Sequence, residues 1–241
     1  FIETKEGHQV LIDGGPSGGR VLEKLGGVMP VWDRSLDLVV LTHPDSDHLR
    51  GLLDVLDRYE VENILWTGVL RETGTFEKWI EKIEQEAANI FIAQRGQVIK
   101  AGDAQFYVLH PFESLEGISA EKGSNETSVV MKLVFGDNTF LLLGDISRKE
   151  EGELLVRSDS AVNLSTNVLK IAHHGSKYSS SRQFLDIAKP EIAVISVGKN
   201  SYGHPTQEVL NNLSEFGINI LRTDEKGDIK IATDGSNLFI K

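Results

Sequence analysis

The chain contains no cysteine. Disulfides, thiolate metal sites and cysteine nucleophiles are therefore excluded, while the redox compartment stays open. No apolar run approaches the length of a transmembrane helix, so direct membrane insertion by this segment is not expected. No signal-peptide pattern opens the chain. Positive charge is scarce: 25 Lys and Arg stand against 36 Asp and Glu, for a net charge of −11. That balance argues against broad adhesion to nucleic acid or anionic membrane. A nucleic-acid substrate at one local site stays compatible with it, because bound cations offset local acidity. Repeats, low-complexity tracts and linkers are also missing. What is present, 241 residues at 40% hydrophobic content, fits one sizeable domain or two small ones. The reading taken is a single domain over 1–241. Its first residues already read as a strand, so an N-terminal segment is expected to precede them.

The chain is organised around Thr42-His43-Pro44-Asp45-Ser46-Asp47-His48. An apolar run, 38–41, leads into it and a helix-like segment, 49–59, follows. Two imidazoles and two carboxylates thus sit where a strand ends and a helix begins, the composition of a metal site. Strands are expected at 1–4, 9–12, 38–41, 61–66, 89–93 and 105–109, and helices at 20–25 and 76–88. Residues 113–126 are polar and read as a loop. A hairpin follows, 128–135 and 139–143 around Gly136-Asp137-Asn138. The remainder alternates: helix 147–157, strand 168–172, helix 181–188, strand 192–197, helix 207–216, strand 218–221, then short strands at 229–233 and 238–240. This pattern indicates an α/β (α+β) chain with sheet packed on sheet and helices outside.

Each chemistry-bearing residue has an ordinary reading beside the chemical one. Asp45, Ser46 and Asp47 are favourable helix N-cap types, which accounts for the aspartates but not for His43 and His48 flanking them. Asp145, after a strand and a glycine, is either a turn aspartate or a carboxylate placed to bridge two cations. His173 and His174 follow the strand 168–172. Neighbouring side chains on a strand point oppositely, so one is expected to face a site and the other to pack or to support it. His174, next to Gly175, is favoured as the ligand. Lys170 is either a solvated strand lysine or a stabiliser of an anionic transition state. Asn125 to Ser128 is either a plain loop-to-strand junction or part of a site. His204, before Pro205 and a helix, is either a surface residue or a substrate-facing acid, base or ligand. His8 and His110 read as structural.

Together these pieces resemble the metallo-β-lactamase fold superfamily. Asp13-Gly14-Gly15 is similar to its first motif. His43-x-Asp45-x-Asp47-His48 looks like its HxHxDH motif, with Asp45 in place of the second histidine. Leu143-Gly144-Asp145 looks like its bridging-aspartate motif, and Lys170 through Ser176 like its later histidine motif. The Asp45 variant, Asn125-x-x-Ser128, His173-His174-Gly175-Ser176 and Tyr202-Gly203-His204-Pro205 together most resemble one branch, the nuclease-like domain of ComEC competence proteins. The Gly-Gln-Gly-Asp segment that usually opens such domains is absent, and so is the transmembrane channel.

The resemblance implies an αββα four-layer sandwich with two divalent metal ions, Mn or Zn. It assigns Asp47, His48 and one of His173 and His174 to one ion, His43 and Asp45 to the other, and Asp145 to a bridge. Asn125 stands where the wider superfamily often has a third histidine. The site is then richer in oxygen than a typical zinc lactamase, which moves the preference towards manganese. The implied reaction is phosphodiester hydrolysis of single-stranded or linear DNA, degrading the non-transported strand during DNA uptake. Asp47 or the metal ions orient the water, Lys170 and His204 act on the developing charge or the leaving oxygen, and Asn125, Ser128 and Ser176 contact substrate. The implied partner is a membrane channel domain of the same or another chain. The location is the extracytoplasmic side of a bacterial membrane in that setting, and the cytoplasm otherwise. Competing readings are hydrolysis of a small phosphodiester such as a phosphorylcholine ester, hydrolysis of a β-lactam or thioester, and a degenerate metal-binding interaction domain.

Overall fold

The apolar runs expected as strands form the middle of a five-stranded sheet in a computed structural model that describes residues 1–120, 123–157 and 163–241. The chain divides into two compact units, Phe1–Arg95 with Pro111–Val129, and Gly96–His110 with Val130–Lys241.

In the first unit, β1 (Ile2–Glu3), β2 (Gln9–Ile12), β3 (Ser35–Val40), β4 (Glu60–Trp66) and β5 (Asn89–Ile92) lie side by side in chain order. β1 and β2 are antiparallel; every later pair is parallel. Parallel neighbours need crossovers, and α1 (Gly18–Val28), α2 (Ser46–Leu56) and α3 (Gly74–Gln85) supply them. Each helix shows an apolar stripe at helical spacing. On α2 the stripe is Leu49, Leu52 and Val55, packed in one core with Leu11, Val39 and Ile64. On α3 it is Phe76, Trp79 and Ile83, with the Trp79 ring 6.3 Å from that of Trp66 in an edge-on arrangement. His48 sits four residues before Leu52 and seven before Val55, so it shares the buried face of α2 and is itself buried. Asp47, one position earlier, is exposed.

The second unit begins with β6 (Val98–Ala101) and β7 (Ala104–His110), followed after the loop by β8 (Val130–Phe135) and β9 (Asn138–Leu142). Beyond α4 (Arg148–Arg157) come β10 (Val168–Lys170), α5 (Arg182–Ala188), β11 (Ile192–Ile195), α6 (Gln207–Glu215) and β12 (Asn219–Arg222). These strands make a seven-stranded sheet in the order β12-β11-β10-β9-β8-β7-β6. The half built from alternating strands and helices is parallel; the hairpin half is antiparallel. A short helix, α7 (Thr223–Lys226), and an antiparallel pair, β13 (Ile231–Thr233) and β14 (Leu238–Ile240), end the chain.

Three details differ from the sequence expectations. β6 and α7 were not expected: β6 pairs only with β7 at the sheet's end, and α7 is a single turn, so neither shows a long periodic pattern. The expected strand 168–172 stops at Lys170. Ala172–Gly175 is instead a tight turn in which His173 and His174 both take left-handed backbone angles, with φ of 48° and 52°. Strand alternation therefore does not decide how the two imidazoles point. The loop 113–126 is largely irregular, as expected. It carries a single parallel bridge, Leu70 to Ser119, and a 3-10 turn at Asn125–Thr127; residues 121–122 lie outside the described residues.

Candidate metal centre

In the first unit the candidate ligands are set by the contact between a glycine turn and a helix. Asp13, at the end of β2, takes a left-handed φ of 60°. Gly14 then donates its amide to the His48 carbonyl at 2.8 Å, and Gly51 donates to the Gly15 carbonyl at 2.9 Å. A methyl group on Gly51 would lie 1.9 Å from the Gly14 oxygen, so the two backbones meet with no room for a side chain. This contact brings the Asp13 carboxylate against Thr42 and His48. Its Oδ1 accepts the Thr42 amide at 2.8 Å. Its Oδ2 accepts the Thr42 hydroxyl at 2.8 Å and His48 Nδ1 at 2.7 Å. Burial alone pushes the Asp13 carboxyl up, but His48, His43 and the Thr42 amide together outweigh it and hold the group below the ordinary carboxylate range.

These bonds fix which imidazole nitrogen carries the proton. A carboxylate only accepts, so His48 Nδ1 is the protonated nitrogen and Nε2 carries the lone pair. Around His43 the reasoning has one more step. Thr42 Oγ1 gives its proton to Asp13, and Ser128 Oγ gives its proton to the Asn125 carbonyl at 2.7 Å. Both hydroxyls can then only accept from His43 Nδ1, which lies 3.0 Å from Thr42 Oγ1 and 3.3 Å from Ser128 Oγ. His43 Nε2 is accordingly also a lone-pair nitrogen. The two rings are 4.2 Å apart, and both residues are buried.

Asp45 occupies the N-cap position of α2, yet its side chain makes no capping bond. Instead Oδ1 accepts Ser124 Oγ at 2.8 Å and faces the Arg71 guanidinium at 3.3 Å, while Oδ2 lies 3.9 Å from His43 Nε2. The capping explanation thus does not account for Asp45. Arg71 is steadied in turn by donating to the Ala120 carbonyl, and the Leu70 to Ser119 bridge fastens the two segments together. Sequence reasoning did not single out Arg71, Ser124 or Thr42. They are far from the motif or chemically ordinary within it, and only the loop's return makes them neighbours.

In the second unit His174 repeats the tautomer logic with a different anchor. Its Nδ1 lies 2.7 Å from the Ser196 carbonyl, which can only accept. In the neutral ring Nε2 is then the lone-pair nitrogen, and it faces Asp145 Oδ2 at 3.4 Å. Two acceptors at that distance repel unless positive charge lies between them, as a proton or a metal ion supplies. Asp145 is buried. The His173 ring instead lies 5.4 Å from that of His204, at 84°. His204 is held below the ordinary imidazole range, first by burial and then by His173 and His174, with Asp145 acting in opposition. Lys170 is half-buried, with Nζ 3.4 Å from the Ile171 carbonyl. Ser176 is buried and accepts the Tyr178 amide at 3.3 Å, so it supports the loop. His8, expected to be structural, lies 3.4 Å from Asp37, and His110 is buried at the end of β7.

The donor set fits a divalent cation. Three imidazoles each have Nδ1–H tied to an acceptor, with Nε2 as donor atom, and carboxylates stand beside two of those nitrogens. This is the arrangement by which a protein orients a metal-binding histidine and raises its basicity. A mixed α/β fold with such imidazole and carboxylate clusters is that of a metal-dependent hydrolase. Residues 1–199 match the family model of the metallo-beta-lactamase superfamily, and the chain belongs to that superfamily.

The relatives lie in the competence branch that the motifs indicated. The chain is 33% identical over 198 residues to ComE operon protein 3 of Bacillus subtilis (strain 168), covering 82% of this chain and 24% of that protein. It is 33% identical over 217 residues to Competence protein ComA of Neisseria gonorrhoeae, covering 88% and 28%. Recombination protein 2 of Haemophilus influenzae matches at 26% over 235 residues, covering 95% and 26%. The chain thus spans about a quarter of the length of these relatives. Among solved structures, the metallo-beta-lactamase fold protein YhfI from Bacillus subtilis superposes with a TM-score of 0.56 at 14% identity, over 96% of this chain and 87% of that one. Tm1679, described as a metal-dependent hydrolase of the beta-lactamase superfamily, gives 0.50 at 14%, over 90% and 86%. At those identities the likeness speaks for the fold alone, and it bears out the expected fold class.

Proposed function

We propose that this chain is a divalent-metal-dependent phosphodiesterase that acts on DNA, in the setting of a competence DNA-uptake protein. The observation that carries the reading is the common tautomer of His43, His48 and His174, each with Nε2 as the donor atom. The names of the relatives, ComE operon protein 3 and Competence protein ComA, supply the DNA-uptake context.

In this reading His43, Asp45, Asp47, His48, Asp145 and His174 hold two divalent ions. Bound ions of this kind lower the pKa of water and offset charge on a phosphodiester. Three carboxylates beside three imidazoles favour manganese over zinc. Asp13 holds the His48 ring in place through Nδ1, and Ser124 with Arg71 holds Asp45. Asp47, exposed on the first turn of α2, orients the water. Lys170 offsets the charge that develops on the phosphoryl oxygens. His204, biased towards its neutral form, exchanges a proton with the leaving oxygen. Asn125 and Ser128, already bonded to each other through the Asn125 carbonyl, belong to the substrate side in this reading, while the buried Ser176 shapes the loop that carries His174. The natural partner is a membrane channel domain in the same or another chain, which puts the reaction on the extracytoplasmic side. Among the described residues no helix is long and apolar enough to cross a membrane.

The test is cleavage of 5′-labelled single-stranded DNA by metal-stripped protein, with Mn²⁺, Zn²⁺ or Mg²⁺ added back separately and Asp145→Ala alongside. The expected outcome is cleavage restored best by Mn²⁺ and lost in the variant with its circular dichroism unchanged. Full activity in Asp145→Ala would overturn the assignment. Turnover of bis-p-nitrophenyl phosphate without DNA cleavage would move the substrate to a small phosphodiester, a class that the net charge of −11 also suits.

A further inference from the structure

The loops that follow β10 and β11 carry, besides His174 and His204, two exposed tyrosines that the reaction above does not use. The two strands are parallel neighbours, so their carboxyl ends open on the same edge of the sheet. The loops are fastened to each other: Thr206 donates its amide to the Gly175 carbonyl at 2.9 Å, and Pro205 packs against Gly175, where a methyl group would lie 2.6 Å from the Pro205 Cβ. Each loop presents an aromatic ring to water. Tyr178 is 62% exposed and Tyr202 is 83% exposed.

Neither loop carries an acid of its own. Residues 170–181 contain Lys170 and Lys177 and no acid; residues 192–207 contain Lys199 and no acid. The two loops thus form a basic strip with aromatic rings in it, and the Glu151 carboxylate faces its far end by accepting the Ser180 and Ser181 amides. Lys177 Nζ lies 5.1 Å from the centre of the Tyr178 ring, a cation–π distance that puts positive charge beside the stacking face. Trp32 is equally exposed at 87%, but its neighbour is Asp33 and no such strip surrounds it.

The Tyr202 loop is also held in shape before anything binds. Asn200 makes four hydrogen bonds within it. Its amide nitrogen donates to the Gly198 carbonyl at 2.9 Å and to the His204 carbonyl at 2.8 Å. Its oxygen accepts the amides of Tyr202 and His204, both at 3.1 Å. A loop ordered in this way loses little further entropy on binding. On the other loop, the Tyr178 carbonyl accepts the Arg148 amide at 2.8 Å.

We infer that Tyr178 and Tyr202 form a base-stacking platform for a single-stranded polynucleotide, with Lys177 and Lys199 on its phosphates. The inference rests on the DNA reading of the adjacent His174 and His204 region. An exposed aromatic face takes any unpaired base by stacking, whereas duplex bases have both faces covered. The platform therefore selects for single strands without reading sequence.

The test uses the metal-loaded chain, a fluorescent phosphorothioate oligothymidylate that resists cleavage, and a phosphorothioate duplex of the same length. Tyr178→Ala, Tyr202→Ala and Tyr202→Phe are compared with wild type by anisotropy. Each Ala variant is expected to weaken single-strand binding about 5- to 100-fold. Tyr202→Phe, which keeps the ring, is expected to bind as wild type does. Duplex binding and thermal midpoint are expected to stay unchanged, as is bis-p-nitrophenyl phosphate turnover in Tyr178→Ala and Tyr202→Phe; the Tyr202 ring lies 6.2 Å from that of His204, so Tyr202→Ala is read by binding alone. With an ordinary oligonucleotide Tyr178→Ala should raise KM and leave kcat alone. Wild-type binding by both Ala variants would overturn the platform while leaving the DNA reading intact, provided the wild type still cuts DNA. Equal weakening of duplex binding would overturn the single-strand assignment. A wild type that hydrolyses the small diester but neither binds nor cuts oligonucleotides would overturn both readings.

Discussion

His48 in the first unit and His174 in the second are the same kind of residue held in two different ways. The anchor of His48 is a half-buried carboxylate, Asp13, at 2.7 Å. The anchor of His174 is a backbone carbonyl, Ser196, at 2.7 Å. The distances match, but the charges do not. A full negative charge on Nδ1–H raises the basicity of the other nitrogen more than a neutral dipole does. The first anchor is a side chain that mutation can remove; the second belongs to the main chain and goes only with the fold. The first cluster also sits on a helix face packed on its core, whereas the second sits on a turn with left-handed residues.

That contrast is easiest to break at the glycine contact. Gly51→Ala forces a methyl group to 1.9 Å from the Gly14 oxygen, backbone against backbone. A loss of about 3 kcal/mol of stability is expected, seen as a lower midpoint in thermal or urea unfolding. Gly198→Ala in the second unit meets nothing within 4 Å and should leave the midpoint near wild type.

Removing the charged anchor is the next largest effect. Asp13→Asn takes the negative charge from His48 Nδ1, and metal affinity measured against a chelator should fall about 10- to 100-fold. A variant that binds metal as tightly as wild type would erase the distinction between the two anchors. Arg71→Met is expected to act at the lower end of that range, about tenfold, because Ser124 still holds Asp45. Arg71→Lys should recover part of the loss, which a purely packing role would not require.

The smallest expected effect lies far from either cluster. Asp234, in the turn between β13 and β14, accepts the amides of Ser236 and Asn237, and these bonds lower its carboxyl from 3.8 to about 2. A carboxylate whose pKa is depressed on folding stabilises the fold above its ordinary value, and the contribution disappears as pH falls through the folded one. The wild-type thermal midpoint should therefore fall between about pH 4 and pH 2, and Asp234→Ala should flatten part of that decline. An unchanged acid limb would remove Asp234 as its source.

Much of the candidate site was legible in the chain because the residues proposed as donors cluster in short motifs. His43, Asp45, Asp47 and His48 lie within six residues, and Asp145 and the paired histidines each follow a strand. Composition and order sufficed to place them, to exclude thiolate chemistry and to indicate the superfamily. The alternating apolar runs gave the strands and helices for the same reason: period 2 and period 3.6 are local properties. The sequence did not say which histidine of the pair has its Nδ1 anchored, because the strand ends two residues earlier than its apolar run suggests. Nor did it show that Asp45 is held by Arg71 and Ser124, residues 26 and 79 positions away.

The residue types, their order and their electrostatic balance were determined by the sequence alone, since they need nothing beyond neighbours along the chain. The proton on each imidazole, the anchors behind His48 and His174, and the fastening of the Tyr178 and Tyr202 loops to each other through Gly175 and Thr206 were decided by the tertiary structure. Each depends on a hydrogen bond or a close contact between distant segments, and local pattern carries no information about such contacts.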